Sequence, residues 1–555
     1  MAIVRVALPI PLPQVFDYAA ADATEADIGR CVKVPFGRGE RNGLIVDLGE
    51  VGEIDAARLK LVHHIQRSVP ALPADWLALV GFVARYYHAP LGEVVALALP
   101  PGLRRADGVS DADEDPLLDL SPAGRDALAA AKRASKALTL LQALAMASGP
   151  WRRSVIRALD GGEAVGDLLR RGWLMAAVED SRAAHGTGTL PGLTAEQAAA
   201  VDAILAGGPG FRPWLLHGVT GSGKTEVYLR LAAHMLAQGR QVLMLVPEIA
   251  LTPQLEQRVA QRFAAANVVS LHSALADGAR SRGFVQALTG RADIVLGTRL
   301  AVFAPLPRLG LILVDEEHDA SYKQQEGVRY SARDAAVWRA RQRDVPVVLG
   351  SATPSLETWY HAKSERYALQ TLSQRAVAAT LPTVRCIDTR RIKLDEGLSP
   401  ALQAAIAQRL ERGEQSLVFL NRRAYAPVLS CPSCRSGSRC PPCTANRVVH
   451  LADRRLRCHH CGCDGPIPHA CPSCGNQDIQ PFGRGTQRIE ARLAERFPQA
   501  RVLRVDRDAA RTRSQWEKLL DTIAAGEADI LVGTQMMAKG HDFPKLTLVG
   551  VIGAD

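Results

Sequence analysis

Between residues 213 and 351 one hydrophobic pattern repeats: a compact apolar run, then a segment of helical length. PWLLHGV, QVLMLVPE, ADIVLGT, LGLILVDEEH and VPVVLGSAT are the runs. Strict alternation would mark strands wet on one face. Unbroken runs mark strands buried on both faces, and such strands need crossover helices to cover them. The pattern predicts a doubly wound α/β lobe with a parallel sheet. A weaker set follows a break near Gln370, in SLVFLNR, ARVLRVDRD, ADILVGT and LTLVGVIGAD, and predicts a second lobe of the same kind.

The first hundred residues differ. VRVALPIPLP, CVKVPFGRGE and RNGLIVDLGE are short apolar runs punctuated by Gly and Pro, which predicts a strand-rich module. A helix over DWLALVGFVARYYHAPLGEVV closes it, with Trp76, Leu77, Val80, Val83 and Ala84 on one face. ADGVSDADEDP is an acidic linker. From about Leu120 to Asp180 the pattern is helical, and VGDLLRRGWLMAAVED reads as helix, Gly172 turn and short strand, as in a winged helix.

Nine of the 11 cysteines fall between Cys431 and Cys474. The start, MAIVRVALPIPLPQVFDY, breaks its apolar run with prolines and forms no signal peptide, and no apolar run of about 18 residues follows anywhere. The expectation is therefore a cytoplasmic chain whose cysteines bind metal rather than form disulfides. Cys431/Cys434, Cys440/Cys443, Cys458/Cys461 and Cys471/Cys474 are C-x-x-C pairs, each able to grip one side of a tetrahedral Zn²⁺. Together they predict two closed, structural sites, with free thiols or an Fe–S cluster as alternatives. Cys463 is the odd thiol, and His459, His460 and His469 are spectators. A module this short must draw its folding energy from metal, on the order of 10 kcal/mol per site. The net charge of +10 adds a polyanionic partner to the picture, nucleic acid foremost.

GVTGSGKT comprises Gly218, Val219, Thr220, Gly221, Ser222, Gly223, Lys224 and Thr225 and fits G-x-x-x-x-G-K-[ST] between a predicted strand and helix. The glycines let backbone N–H groups curl around a β-phosphate, and the helix N-terminus adds its positive end. Lys224 is expected at the β/γ oxygens and Thr225 on Mg²⁺. In LILVDEEH, Asp315 ends an apolar strand and is expected to hold Mg²⁺. Glu316 is placed to orient and deprotonate the attacking water. The expected chemistry is ATP hydrolysis, which kinases and transporters with such loops share.

What separates them is the order LVPEIALTPQ, LHSALADGARSRGF, VLGTRLAVFAPL, LGSATPS, FLNRRAYAP and VGTQMMAKGHDFP. This series resembles the superfamily 2 helicases. The resemblance implies that Gln197, in LTAEQAAAV, reads adenine, and that Ser351, Ala352 and Thr353 couple ATP state to strand contacts. VALPIPLPQVFDY, VPFGRGERNGLIV, RYYHAPLGEV, DEEHDASYKQQEGVRYSARD and the paired cysteines narrow it. Along essentially the whole chain they resemble the PriA (primosomal protein N′) family of replication-restart helicases.

That resemblance implies two RecA-like lobes, an N-terminal β-rich DNA-binding domain, a winged helix and a two-zinc insertion. It implies ATP-dependent 3′→5′ unwinding at stalled or abandoned forks and the start of primosome assembly. The implied partners are forked and single-stranded DNA, single-strand binding protein and helicase-loading proteins, with no membrane. Phe16, Asp17, Gly37 and Lys60 match the family's pocket for a nascent 3′ end. Tyr322, Lys323, Gln324, Arg329, Tyr330 and Arg333 match its aromatic-rich DNA-sensing loop. The outer pairs, Cys431/Cys434 with Cys471/Cys474, are implied to share one zinc, and the inner pairs, Cys440/Cys443 with Cys458/Cys461, the other. The expected boundaries are 1–105 for the 3′-end domain, 106–185 for the winged helix and 186–375 for lobe one. Lobe two follows as 376–430 and 480–555, around a zinc insertion at 431–479.

The chain departs from the family at LVGVIGAD, where relatives continue into an arginine-bearing QxxGRAGR-type motif. The expectation is a truncated second lobe with no assignable arginine finger, Arg422 and Arg423 being the fallback. The alternative function is then a hydrolysis-deficient, fork-binding scaffold.

Overall fold

The computed structural model describes residues 2–49, 59–104, 117–129, 136–146, 151–152, 156, 163–176, 192–247 and 253–376 (except 264). It continues with 382–420 (except 390, 391 and 393), 428–482 (except 432, 433, 435, 444, 451–454, 459, 478 and 479), 486–505, 513–533 and 543–553. The acidic linker, Arg422, Arg423, His459 and most of VGTQMMAKGHDFP lie outside the described residues. The chain divides into two compact units, Met1–Ala379 and Thr380–Asp555.

Unit one opens with an antiparallel sheet of β1 (Ala2–Ala7), β2 (Phe16–Ala20), β3 (Cys31–Phe36), β4 (Gly39–Gly49) and β5 (His64–Ile65), in the order β2-β1-β4-β3-β5. Val4, Val6, Val32, Val34 and Ile45 fill its buried face. β3 and β4 meet at Phe36 and Gly39, so Gly37 and Arg38 form a two-residue turn, and Gly37 takes the positive φ (+60°) such a turn requires.

The helices Ala74–Tyr86 and Leu91–Ala98 then pack on the next lobe. Trp76 Nε1 donates to the Phe303 carbonyl at 2.6 Å, and Phe82 stacks on Trp338 with centroids 4.4 Å apart. The fully buried stripe of the first helix is Trp76, Leu79, Val80 and Val83, at 3–4–7 spacing. The expected Leu77 and Ala84 lie on its flank, half-buried, because the lobe covers one narrow sector of the helix.

β6 (Leu117–Leu120), β7 (Trp151–Arg152) and β8 (Leu174–Ala176) form a small antiparallel sheet carrying the helices Pro122–Ala129, Lys136–Met146 and Glu163–Arg170. Leu118, Leu141, Leu144, Val165 and Leu168 make its core, and Gly172 turns helix into strand at φ +67°.

β9 (Pro213–Gly218), β10 (Gln241–Leu245), β11 (Val268–Leu271), β12 (Ile294–Gly297), β13 (Leu309–Val314), β14 (Val347–Ser351) and β15 (Ala368–Leu372) form a seven-stranded sheet, order β11-β12-β10-β13-β14-β9-β15. Every pairing in it is parallel. Successive residues feed different cores: Leu243 and Ile312 enter one, Met244 and Leu313 the other. Both faces are covered, which is why these strands read as unbroken apolar runs.

In unit two, β16 (Gln415–Leu420) belongs to a parallel sheet with three later strands. It is left through β17 (Val428–Ser430), then β18 (Val448–His450), β19 (Arg455–Arg457) and β20 (Asp464–Pro466), and regained through β21 (Gln480–Phe482), antiparallel to β17. β22 (Val502–Val505), β23 (Ile530–Gly533) and β24 (Leu546–Ile552) complete the order β22-β23-β16-β24. Among the described residues no helix is long and apolar enough to cross a membrane.

Candidate functional site

The loop between β9 and the helix Lys224–Ala237 turns through Gly221 and Gly223 at φ +82° and +80°. A Cβ on Gly223 would stand 2.2 Å from Gln197 Nε2, so only glycine leaves room for that amide. Val219, Thr220 and Gly221 are exposed at the top, while Ser222 and Lys224 are buried beneath. Lys224 Nζ donates to the Gly218 carbonyl at 3.0 Å and lies 3.4 Å from Glu316 Oε1. Gln197 is tied to the loop rather than projecting outward. Its Nε2 donates to the Ser222 carbonyl at 2.8 Å, and its Oε1 accepts from Thr194 N at 2.9 Å in the capping box that starts the helix Ala195–Ala206.

β13 delivers the acids. Tyr228, on the helix after the loop, donates its hydroxyl to Asp315 Oδ1 at 3.0 Å. Burial, helped by the neighbouring charge of Glu316, pushes the Asp315 carboxyl up to about 6. Glu316 takes φ +44°, a left-handed conformation that turns the chain sharply at the strand end. Asp315 and Thr225 offer the hard oxygen donors that suit Mg²⁺.

Two residues of the same motif escaped the sequence reading. Glu317, 1% exposed, accepts from Ser355 N at 2.7 Å, Thr358 Oγ1 at 2.9 Å and Arg333 at 3.1 Å. His318 Nδ1 lies 2.7 Å from Ser351 Oγ, and Thr353 Oγ1 lies 3.4 Å from His318 Nε2. DEEH is thereby bonded to SATPS and to Arg333 in the first turn of the helix Ala332–Gln342. The available signal was the polar run DEEH after an apolar strand; nothing in it separates solvated from buried acids.

The loop itself departs from expectation. Tyr322 and Tyr330 are 2% and 0% exposed, with hydroxyls donating to the Asp315 carbonyl at 2.6 Å and the Arg299 carbonyl at 3.1 Å. Neither offers a face on which a base could stack, because both rings belong to the lobe's core. Lys323 and Arg329 are exposed, and Lys323 Nζ sits 4.8 Å over the Tyr87 ring. Gln324 is half-buried.

Phe16, Asp17, Gly37 and Lys60 come together, with Tyr18, Pro35, Phe36 and Leu59, around a cavity of about 240 Å³. Phe16 meets Phe36 edge to face at 5.4 Å, and Arg5 lies 3.8 Å from Asp17. An aromatic wall, a carboxylate and a cation around an opening of this size suit a nucleotide base with its sugar.

The cysteines gather into two sets, Cys431, Cys434, Cys471 and Cys474, and Cys440, Cys443, Cys458 and Cys461. Closest sulfur separations are 3.4–3.6 Å, far beyond a disulfide and near the edge of a tetrahedron of thiolates around one Zn²⁺. All four pairs close their turn alike. The N–H of Cys431, Cys440, Cys458 and Cys471 donates to the carbonyl of Ser436, Ala445, Cys463 and Asn476 respectively. The backbone N–H of Cys461 is the largest influence holding the Cys458 thiol down to about 6, and that of Ser473 lowers Cys471, whereas burial pushes the Cys440 thiol up. Such donors favour thiolates, the form that binds metal. Among the described residues, Leu429, Val449 and Leu456 form the buried apolar cluster there.

Residues 5–100 match the 3′DNA-binding domain (3′BD) family and residues 194–360 the DEAD/DEAH box helicase family. The Replication restart protein PriA of Haemophilus influenzae is 38% identical over 569 residues, an alignment covering 100% of this chain and 77% of that protein. The protein of the same name from Synechocystis is 34% identical, covering 99% of this chain and 77% of its own. That of Bacillus subtilis is 43% identical over 369 residues, 65% of this chain and 46% of its own.

Proposed function

The chain belongs to the PriA family of replication restart proteins, and on that premise we propose how its parts divide the work of an ATP-dependent DNA helicase acting at stalled or abandoned forks. The division follows the expected boundaries, 1–105 for 3′-end capture, 106–185 as winged helix, 186–375 as ATPase lobe, and 376–430 with 480–555 as second lobe around the zinc insertion 431–479.

The observation that carries the reading is the approach of Lys224 to Glu316, 3.4 Å across the phosphate loop. Backbone N–H groups from Gly218 to Thr225 cradle the nucleotide phosphates, and Lys224 exchanges Glu316 for the β/γ oxygens. Glu316, released, orients the attacking water and takes its proton. Thr225 and Asp315 would hold Mg²⁺, which supplies charge neutralisation on the phosphates. A scaffold without turnover is the less supported reading, because loop, lysine and both acids are assembled.

Phe16, Asp17, Gly37 and Lys60 receive the terminal base of a nascent 3′ end, with Phe16 as stacking surface. Lys323 and Arg329 contribute phosphate contacts, and turnover drives 3′→5′ unwinding. Each cysteine set holds one Zn²⁺ as a closed structural staple. Single-strand binding protein and helicase-loading proteins are the partners of primosome assembly, in the cytoplasm at the chromosome.

Lys224→Ala and Glu316→Gln test the division of labour. Both should abolish DNA-stimulated phosphate release and leave binding to forked DNA largely intact. Loss of fork binding by both folded variants would refute it.

A further inference from the structure

Asp315 is held from two sides by phenols. Tyr322 donates to its backbone carbonyl, and Tyr228, fully buried on the helix Lys224–Ala237, donates to its Oδ1 at 3.0 Å. A third element fixes Tyr228. A Cβ on Gly350 of β14 would stand 1.5 Å from the Tyr228 hydroxyl and 2.7 Å from its Cζ, so the strand leaves a slot that only glycine provides. Packing alone does not account for this arrangement. A phenylalanine would fill nearly the same volume and would need no polar partner, whereas a buried hydroxyl costs stability unless it is hydrogen-bonded.

We propose that Tyr228 is a positioning residue for the metal carboxylate: its hydroxyl pins Asp315 Oδ1, arrests rotation of the carboxylate and presents Oδ2 in one orientation. It thereby sets the affinity for the divalent cation that accompanies the nucleotide. The proposal rests on Asp315 being a Mg²⁺ ligand. Tyr228 is fully buried and acts through Asp315, to which its hydroxyl is bonded. It also joins three elements at one atom: the helix after the phosphate loop, the acidic strand end and the strand that runs into SATPS.

Mn²⁺, a paramagnetic substitute for Mg²⁺, is titrated into the full chain with ADP, and unbound Mn²⁺ is read by electron paramagnetic resonance. Tyr228→Phe should raise the Mn²⁺ dissociation constant about tenfold, as expected for losing a hydrogen bond to a charged group. Metal-free ADP affinity, measured by calorimetry, should stay within about twofold of the parent. Mn²⁺ affinity within about twofold of the parent, in a variant with an unchanged melting temperature, overturns the proposal. Asp315→Asn runs in parallel. If it too leaves Mn²⁺ binding unchanged, the assignment of Asp315 fails; if it weakens binding while Tyr228→Phe does not, only the positioning role fails. Should Tyr228→Phe not fold, 3-fluorotyrosine at position 228 serves in the otherwise unaltered chain. Its ¹⁹F resonance should move when Mg²⁺ joins bound ADP, and an unmoved resonance overturns the proposal.

Discussion

Arg333 and Glu317 form an ion pair at 3.1 Å across 16 residues of sequence, and the Glu317 side chain is wholly buried. Ser355 and Thr358 satisfy the rest of its carboxylate. A buried acid with this many donors cannot lose its cation cheaply. Arg333→Met should destabilise the lobe by about 3 kcal/mol, the order found when one partner of a buried pair is removed. Urea unfolding followed by tryptophan fluorescence measures it. A midpoint unchanged from wild type would show that Ser355 and Thr358 suffice alone.

The cysteine geometry predicts two zinc ions per chain by elemental analysis, one for each set. Cys440→Ser should lower the count, because its sulfur lies 3.4 Å from Cys461 within the inner set. Cys463→Ser should not, because Cys463 belongs to neither set among the described residues; its carbonyl closes the Cys458 turn. Chelation should unfold residues 428–482 first, since the apolar cluster of Leu429, Val449 and Leu456 found among the described residues cannot replace the metal. A native protein with one zinc, or none, contradicts this.

The N-terminal cavity predicts end-specific binding. Phe16→Ala should weaken binding to DNA ending in a free 3′-hydroxyl by about 1–3 kcal/mol, the range for one base–aromatic contact. Fluorescence anisotropy with 3′-hydroxyl and 3′-phosphate duplexes reads the difference. Equal losses on both ends would place Phe16 in the structure of the sheet rather than in recognition.

Asp27 predicts an acid limit for the same sheet. Arg67 donates to its carboxylate at 2.9 and 3.0 Å, and Thr24 N at 3.0 Å. The Arg67 hydrogen bonds are the main reason its carboxyl sits below the usual range. A carboxylate that ionises more readily folded than unfolded adds stability above the unfolded value, about 3.9, and loses it as pH falls through the lower folded value. Asp27→Asn should therefore reduce hydrogen-exchange protection of β1–β4 at neutral pH, by about 1–3 kcal/mol. The gap from wild type should close in acid. Equal protection at neutral pH would contradict it.

By itself the sequence determined the buried parallel strands, the phosphate loop, the acids Asp315 and Glu316 and the cysteine pairs. All of these are local: an apolar run, a glycine spacing, two thiols three residues apart. β11 and β15 were not legible, because each lies at an edge of the sheet and is only partly buried, so its apolar run is short and broken. The tertiary structure alone decided that Tyr322 and Tyr330 are core residues. Tyr330 packs 5.1 Å from Phe303 and bonds Arg299, partners about thirty residues away that no local pattern pairs with it. It likewise made Glu317 a buried hub and joined Tyr228 to Asp315. In each case the deciding term is whether a neighbouring element excludes water from a polar side chain, and that depends on how distant segments pack.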